Sequence, residues 1–233
     1  MSIYDSIRKQ LTPIHPEGYP FVGGFALASL ILFWLWTPLG WLATLATVWC
    51  AYFFRDPKRV TPVREGIVVA PADGRIDQVV NAVPPQELNL GTQPLPRVSI
   101  FMSVFDCHIN RSPIGGRIER IVYRAGKFLS ADLDKASEDN ERNAFVIATD
   151  FGPRIAIVQI AGLVARRIVS FTREGDMVGA GQRIGMIRFG SRVDVYLPEA
   201  TSLLVTSGQT AIAGETVLAD LKPGAPRGAF RVS

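Results

Sequence analysis

The chain is poor in the residues that most metal and redox chemistry needs. Among its 233 residues are two cysteines, Cys50 and Cys107, and two histidines, His15 and His108. No His/Cys cluster at a metal-ligand spacing can be drawn from these four, so no metal site is expected. Cys50 lies inside an apolar run, which argues against a disulfide to Cys107 and makes a reducing compartment the default. Lysine is missing between Lys135 and Lys222, which removes the modifiable hairpin-tip lysine that a carrier domain requires. The largest absence is of charge. Residues 18–54 contain no Asp, Glu, Lys or Arg.

That charge-free stretch explains why hydrophobic residues reach 48% and mean hydropathy +0.20. It starts too late for a secretory signal, and no small-residue cleavage site follows it. Thr37-Pro38 divides it into apolar segments 21–36 and 39–54, because proline has no N–H to continue a helix. Each half is shorter than the roughly 20 residues that span a bilayer. The pair reads as a helical membrane hairpin, either two tight spans or a re-entrant wedge, with Trp34, Trp36, Trp41 and Trp49 suited to the interface. A buried hairpin in a soluble core is the alternative, although such helices usually carry charge on one face. Arg8, Lys9, Arg55, Lys58 and Arg59 flank the stretch and put both ends in the cytoplasm by the positive-inside rule. The net charge of +4 suits an anionic membrane surface. The basic residues form no stripe interleaved with aromatics, so no nucleic-acid partner is expected. The expectation is a chain anchored at the cytoplasmic face of the cell membrane by residues 21–54.

From about Val60 the pattern changes to short β-rich runs at 68–70, 98–102, 117–123, 145–149, 155–160, 184–188, 193–197 and 203–206, separated by Gly and Pro turns. This predicts a mainly β domain over residues 60–233 after an N-terminal unit of 1–59. Segment 128–143 is polar, charged and weakly helical, and reads as a loop or lid. A repeat is visible. Gly175-Asp-Met-Val-Gly-Ala-Gly181 and Gly208-Gln-Thr-Ala-Ile-Ala-Gly214 share the frame Gly-x5-Gly, and strand-like residues follow each. The frame points to barrel-sandwich character like that of biotinyl and lipoyl carriers, with two units paired across a pseudo-two-fold axis.

The stretch that carries chemistry is Arg188-Phe189-Gly190-Ser191-Arg192. An isolated Gly-Ser pair between strands is ordinarily a β-turn. To be a nucleophile, the serine needs a base, and His108 is the only histidine outside the first 59 residues. Asp73, in Pro71-Ala72-Asp73-Gly74, is a candidate orienter and equally a turn residue. Asp106 is another, because residues i and i+2 of a strand share a face. Cys107 would then point away from His108.

Read as a whole, the chain resembles the phosphatidylserine decarboxylase family in its short proenzyme form. The matching segments are the early hydrophobic hairpin, Phe53-Phe54-Arg55-Asp56-Pro57, Pro71-Ala72-Asp73-Gly74, Phe105-Asp106-Cys107-His108-Ile109-Asn110-Arg111-Ser112-Pro113, Asp134-Lys135-Ala136-Ser137-Glu138-Asp139-Asn140-Glu141-Arg142 and Phe189-Gly190-Ser191-Arg192. The resemblance implies that Ser191 attacks the Gly190 carbonyl, with Asp73 orienting His108 and His108 taking the proton. Elimination and hydrolysis then turn residue 191 into a pyruvoyl group, leaving a heterodimer of fragments 1–190 and 191–233. The pyruvoyl ketone would form a Schiff base with phosphatidylserine and act as the electron sink that pyridoxal phosphate provides elsewhere, releasing CO2 and phosphatidylethanolamine. It implies neither a metal nor pyridoxal phosphate. The family's longer branch has two histidines three residues apart, and here Arg111 stands in the second place. Arg111, Arg142 and Arg192 are candidates for the lipid phosphate or carboxylate. Two rivals are a non-enzymatic barrel-sandwich module and a membrane serine hydrolase, although no Gly-x-Ser-x-Gly elbow surrounds Ser191.

Overall fold

The structure is a computed structural model that describes residues 12–126, 140–162, 167–188 and 191–222. The chain divides into two compact units, Met1–Lys58 and Arg59–Ser233.

In the first unit a 3-10 turn, Pro16–Gly18, leads into helix α1 (Tyr19–Leu35), and α2 (Thr37–Phe53) follows. The break is at Trp36, whose backbone is extended, and Pro38 sits in the first turn of α2, where its missing N–H interrupts nothing. The helices pair through small and polar residues. The Ser29 hydroxyl lies 2.7 Å from Thr44 Oγ1 and donates to the Gly40 carbonyl at 3.1 Å. A Cβ on Gly40 would stand 2.4 Å from the Phe33 ring, so glycine is what lets that ring approach the opposite helix. Leu27, Leu30, Trp34, Trp41, Leu42, Leu45 and Val48 all point outward and exposed. Among the described residues, helix Pro16–Leu35 is long and apolar enough to cross a membrane.

Among the described residues the second unit is β apart from a 3-10 turn at Gln86–Leu88. Its strands are β1 (Ile67–Val69), β2 (Gly74–Ala82), β3 (Leu95–Met102), β4 (Ile109–Arg111), β5 (Gly116–Arg124), β6 (Arg142–Ala148) and β7 (Arg154–Ala161). They continue with β8 (Arg167–Ser170), β9 (Met177–Val178), β10 (Arg183–Arg188), β11 (Ser191–Tyr196), β12 (Ser202–Leu203), β13 (Thr210–Ala211) and β14 (Val217–Asp220). One sheet of eight runs β13-β2-β3-β11-β7-β6-β5-β9, and two sheets of three run β1-β14-β12 and β4-β10-β8. Alternation decides which face each residue serves. Phe145, Ile147, Ile155, Ile157, Val193 and Val195 enter the main core, while Ala144, Val146, Ala156, Val158 and Tyr196 form a second one with Leu88. Residues 142–143 of the expected 128–143 loop belong to β6, and residues 127–139 lie outside the described residues.

The unit is built twice. The Val69 amide donates to the Pro113 carbonyl, and the Arg111 amide to the Pro71 carbonyl. Gly181 N–H donates to Ser112 O as Gly214 N–H donates to Ala70 O, and Ile187 N–H reaches His108 O as Leu221 N–H reaches Gly66 O. The β2/β3 and β5/β6 ladders carry a register shift at the same place, after Ile76 and after Ile118. One half comprises β4–β10 without interruption. The other comprises β1–β3 and β11–β14, so the first half is inserted between β3 and β11. The two Gly-x5-Gly units are matching parts of these halves. They meet where a Cβ on Gly214 would stand 3.4 Å from Gly181 Cα. Gly175, Gly181, Gly208 and Gly214 all have positive φ, which an L side chain rarely adopts.

Candidate active site

Ser191 opens β11, the strand where the interrupted half resumes. In register it faces Met102 of β3 on one side and Ala161 of β7 on the other. Its side chain is fully buried, and its Oγ has no hydrogen-bond partner among the described residues. Buried hydroxyls are normally satisfied, and leaving one unsatisfied costs about 1–3 kcal/mol. Gly190, the other half of the expected scissile pair, lies outside the described residues.

His108 is also fully buried. It lies just before β4, after a turn in which the Asp106 carboxylate accepts the Ser103 amide at 2.7 Å. The expectation that Asp106, Cys107 and His108 alternate along a strand is therefore corrected. The local sequence makes a tight turn instead, in which the Asp106 amide donates to the Ser103 carbonyl at 3.0 Å and the Phe105 amide to Ser103 Oγ at 3.3 Å. His108 Nδ1 stands 3.0 Å from the Asp106 carbonyl oxygen. A carbonyl only accepts, so Nδ1 carries the proton, and in the neutral ring Nε2 holds the lone pair. The backbone of Asp106, not its carboxylate, fixes this tautomer.

Asp73 sits in the turn between β1 and β2. Its Oδ2 meets Arg59 Nη2 at 2.5 Å, and its Oδ1 accepts the Ala213 amide at 2.7 Å. The Arg111 amide donates to Pro71 O at 2.8 Å, which brings the Asp73 turn beside the strand that follows His108. Arg59 was read from the sequence only as a flanking positive charge, since nothing local links it to a carboxylate 14 residues on.

The three arginines are placed differently. Arg111 is buried on β4, and its Nη1 donates to the Gly181 carbonyl at 2.9 Å. Arg192 is fully buried, with Nε 3.0 Å and Nη2 3.1 Å from the Asp194 carboxylate. Alternation turns it to the sheet face opposite Ser191. Arg142 pairs with Glu87. A cavity of about 1040 Å3 is lined by Gln78, Glu87, Arg97, Arg124, Arg142 and Tyr196. Burial raises the Glu87 carboxyl, but its backbone hydrogen bond and Arg142 outweigh burial and hold it below the ordinary glutamate value. Burial pushes the Tyr196 phenol up, Asp194 adds to the rise, and Arg97 opposes it.

Comparison with known proteins identifies the family of the chain. The family model described as phosphatidylserine decarboxylase matches residues 46–219. A protein of Nitrobacter winogradskyi described as phosphatidylserine decarboxylase proenzyme is 67% identical over 217 residues, covering 93% of this chain and 88% of that protein. The match takes in Asp73, His108 and Ser191 together with both halves of the β unit, and so this chain belongs to the phosphatidylserine decarboxylase family.

Proposed function

We propose that the chain is a self-processing carboxy-lyase that converts phosphatidylserine to phosphatidylethanolamine and CO2. In this reading it is made as one precursor and cut between Gly190 and Ser191. The observation that carries the reading is the Ser191 hydroxyl, buried and unpartnered at the first residue of a central strand. Such a group is a reservoir of unspent reactivity next to the peptide bond it would attack.

His108 Nε2 takes the proton as Ser191 Oγ adds to the Gly190 carbonyl carbon. The C–N bond then breaks, the amine leaves protonated, and an ester joins the two residues. Loss of the Ser191 Cα proton expels the Gly190 carboxylate, and water replaces the nitrogen as ammonia. Asp73 supports the imidazolium electrostatically, while the Asp106 carbonyl keeps Nδ1 protonated. The same histidine is assigned the proton that returns to the substrate.

The cofactor implied by the family is a pyruvoyl group, and residue 191 itself would hold it. The residues fit. Among the described residues the Ser191 hydroxyl has no hydrogen bond that conversion would break, and its register partners Met102 and Ala161 offer no competing nucleophile. The ketone supplies an electron sink for the carbanion that decarboxylation creates. Arg111, on the strand that follows His108, is the arginine carried forward for the substrate's phosphate or carboxylate. The paired Gly-x5-Gly turns support barrel-sandwich character. The outward apolar faces of α1 and α2 support a hairpin in the cytoplasmic face of the membrane, where the substrate resides and confinement raises its effective concentration.

The test is the intact mass of the purified protein under denaturing conditions. Two fragments are expected, with the smaller one refractory to Edman sequencing and lighter by one ammonia than a chain beginning with Ser191. A single chain, or a small fragment with free N-terminal serine, would refute the reading.

A further inference from the structure

The inserted half of the β unit carries a line of buried amides. Asn143 Nδ2 donates to Gln159 Oε1 at 3.1 Å, Gln159 Nε2 donates to Asn110 Oδ1 at 2.7 Å, and Asn110 Nδ2 donates to Met102 Sδ at 3.6 Å. Asn110 and Gln159 are fully buried, and Asn143 is 3% exposed. The line joins β6, β7, β4 and β3. It ends on Met102, the register partner of Ser191. Gln159 lies two residues from Ala161, the partner on the other side. Asn110 lies two residues after His108. The amides therefore bracket Ser191 from both neighbouring strands and tie both to the segment that carries the base.

The duplication supplies an internal control. Matching registers and hydrogen bonds place Val68 where Asn110 stands, Leu197 where Gln159 stands and Pro96 where Asn143 stands. All three counterparts are buried. The architecture thus closes over apolar side chains at these positions, and packing alone does not ask for amides. The symmetry-related positions also lack the chemistry, with Gly66 of one half matching His108 and Gly115 of the inserted half matching Asp73. Even the room for the line is one-sided. A Cβ on Gly185 would stand 3.1 Å from Gln159 Nε2, whereas its counterpart is the buried Ala219.

We infer that Gln159, with Asn110 and Asn143, is a positioning residue for self-cleavage, holding the strands on both sides of Ser191 in fixed relation to His108. The inference rests on Ser191 being the cleaved residue. Buried amides in a row are strongly directional, because each lost bond leaves a donor or acceptor unpaired. Misplacement of reacting groups by about 1 Å can cost on the order of a hundredfold in rate.

The experiment follows cleavage of leucine-labelled precursor made by cell-free translation and transferred to buffers of different pH. Gln159→Leu installs the residue of the other half. It is expected to cut at least about tenfold more slowly, while Gln159→Leu in an uncut Ser191→Ala background melts no lower than Ser191→Ala alone. Gln159→Glu is expected to show a reversed pH dependence. Protonated, its carboxyl donates to Asn110 and accepts from Asn143; ionised, it can only accept. Burial raises its pKa, so its cleavage should be fastest in acid and fall with rising pH, while the wild type speeds up as His108 loses its proton. Wild-type cleavage by Gln159→Leu would overturn the inference, as would a Gln159→Glu profile parallel to the wild type. The second arm decides if Gln159→Leu fails to fold. Cleavage of the Ser191→Ala control at the same bond would instead overturn the assignment of Ser191.

Discussion

Val69 and Arg111 occupy the same place in two copies of one design: each donates its amide, at 2.8 Å, to the carbonyl of a proline in the other copy, Pro113 and Pro71 respectively. The residues assigned to chemistry come from both copies, Asp73 and Ser191 from the one that holds Val69, and His108, Asn110 and Gln159 from the one that holds Arg111. The symmetry-related positions keep the backbone and have Gly66, Gly115, Val68 and Leu197 in place of His108, Asp73, Asn110 and Gln159.

The orphaned hydroxyl predicts an unusual stability change. Ser191→Ala should remain a single chain and, compared within an uncut His108→Gln background, should be more stable by about 1 kcal/mol, because a buried unpaired group is removed. Thermal melting of the two uncut proteins checks this, and a loss of stability would mean that the hydroxyl is bonded.

The two carboxylates proposed as orienters of His108 should respond differently. Asp73→Asn removes charge near the base and should slow cleavage by about tenfold or more. Asp106→Asn keeps both the backbone carbonyl that holds Nδ1 and a side-chain oxygen for the Ser103 amide, so cleavage should stay near the wild-type rate. The yields of the 191–233 fragment over time separate the two.

The cut chains should not part under native conditions. Fragment 191–233 supplies β11, hydrogen-bonded to β3 and β7, as well as β13 on β2 and β14 on β1, with β12 added to β14. Gel filtration in detergent should give one species, and denaturant should give two.

Deleting residues 21–54 should move the protein from the membrane to the soluble fraction and leave cleavage intact, since Ser191, His108 and Asp73 all belong to the unit Arg59–Ser233. A deletion that abolishes cleavage would make the helices part of the catalytic core.

The Glu87–Arg142 pair makes a pH prediction. Glu87 is held below its ordinary value of 4.5, so the stability it contributes is present above that value and is lost as pH falls through the lower folded one. The melting-temperature gap between wild type and Glu87→Gln should therefore be widest near neutrality and close in acid. The gap is small, because the Glu87 side chain is 22% exposed and salt screens it.

What could be read from the sequence depended on whether a feature is local. The glycine frames at 175–181 and 208–214 were visible because positive φ demands glycine at fixed offsets. Strands such as β6 and β7 were visible because both faces are buried and runs such as Ala144–Ala148 and Ile155–Val158 are apolar. β2 was not, because Gly74–Ala82 alternates with charged and polar residues and carries a register shift. Ser191, His108 and Asp73 were singled out as candidates by residue type, and their roles came from the family resemblance. The group that fixes the His108 tautomer is a backbone carbonyl, which has no residue type to find. The larger duplication keeps little beyond Ile67, Pro71 and Gly74-Arg75-Ile76 against Ile109, Pro113 and Gly116-Arg117-Ile118, and one copy interrupts the other. Asn110, Asn143 and Gln159 are brought together only by strand order.

The insertion of one half within the other makes maturation a one-way step. While the chain is whole, β11 is tethered to β10, and its search for the gap between β3 and β7 is intramolecular, at a high effective concentration. After the proposed cut at Gly190, the same strand belongs to a separate molecule. Recovery of the mature protein from denaturant then becomes a second-order process. Its yield should fall on dilution, while the uncut Ser191→Ala precursor should refold at any concentration.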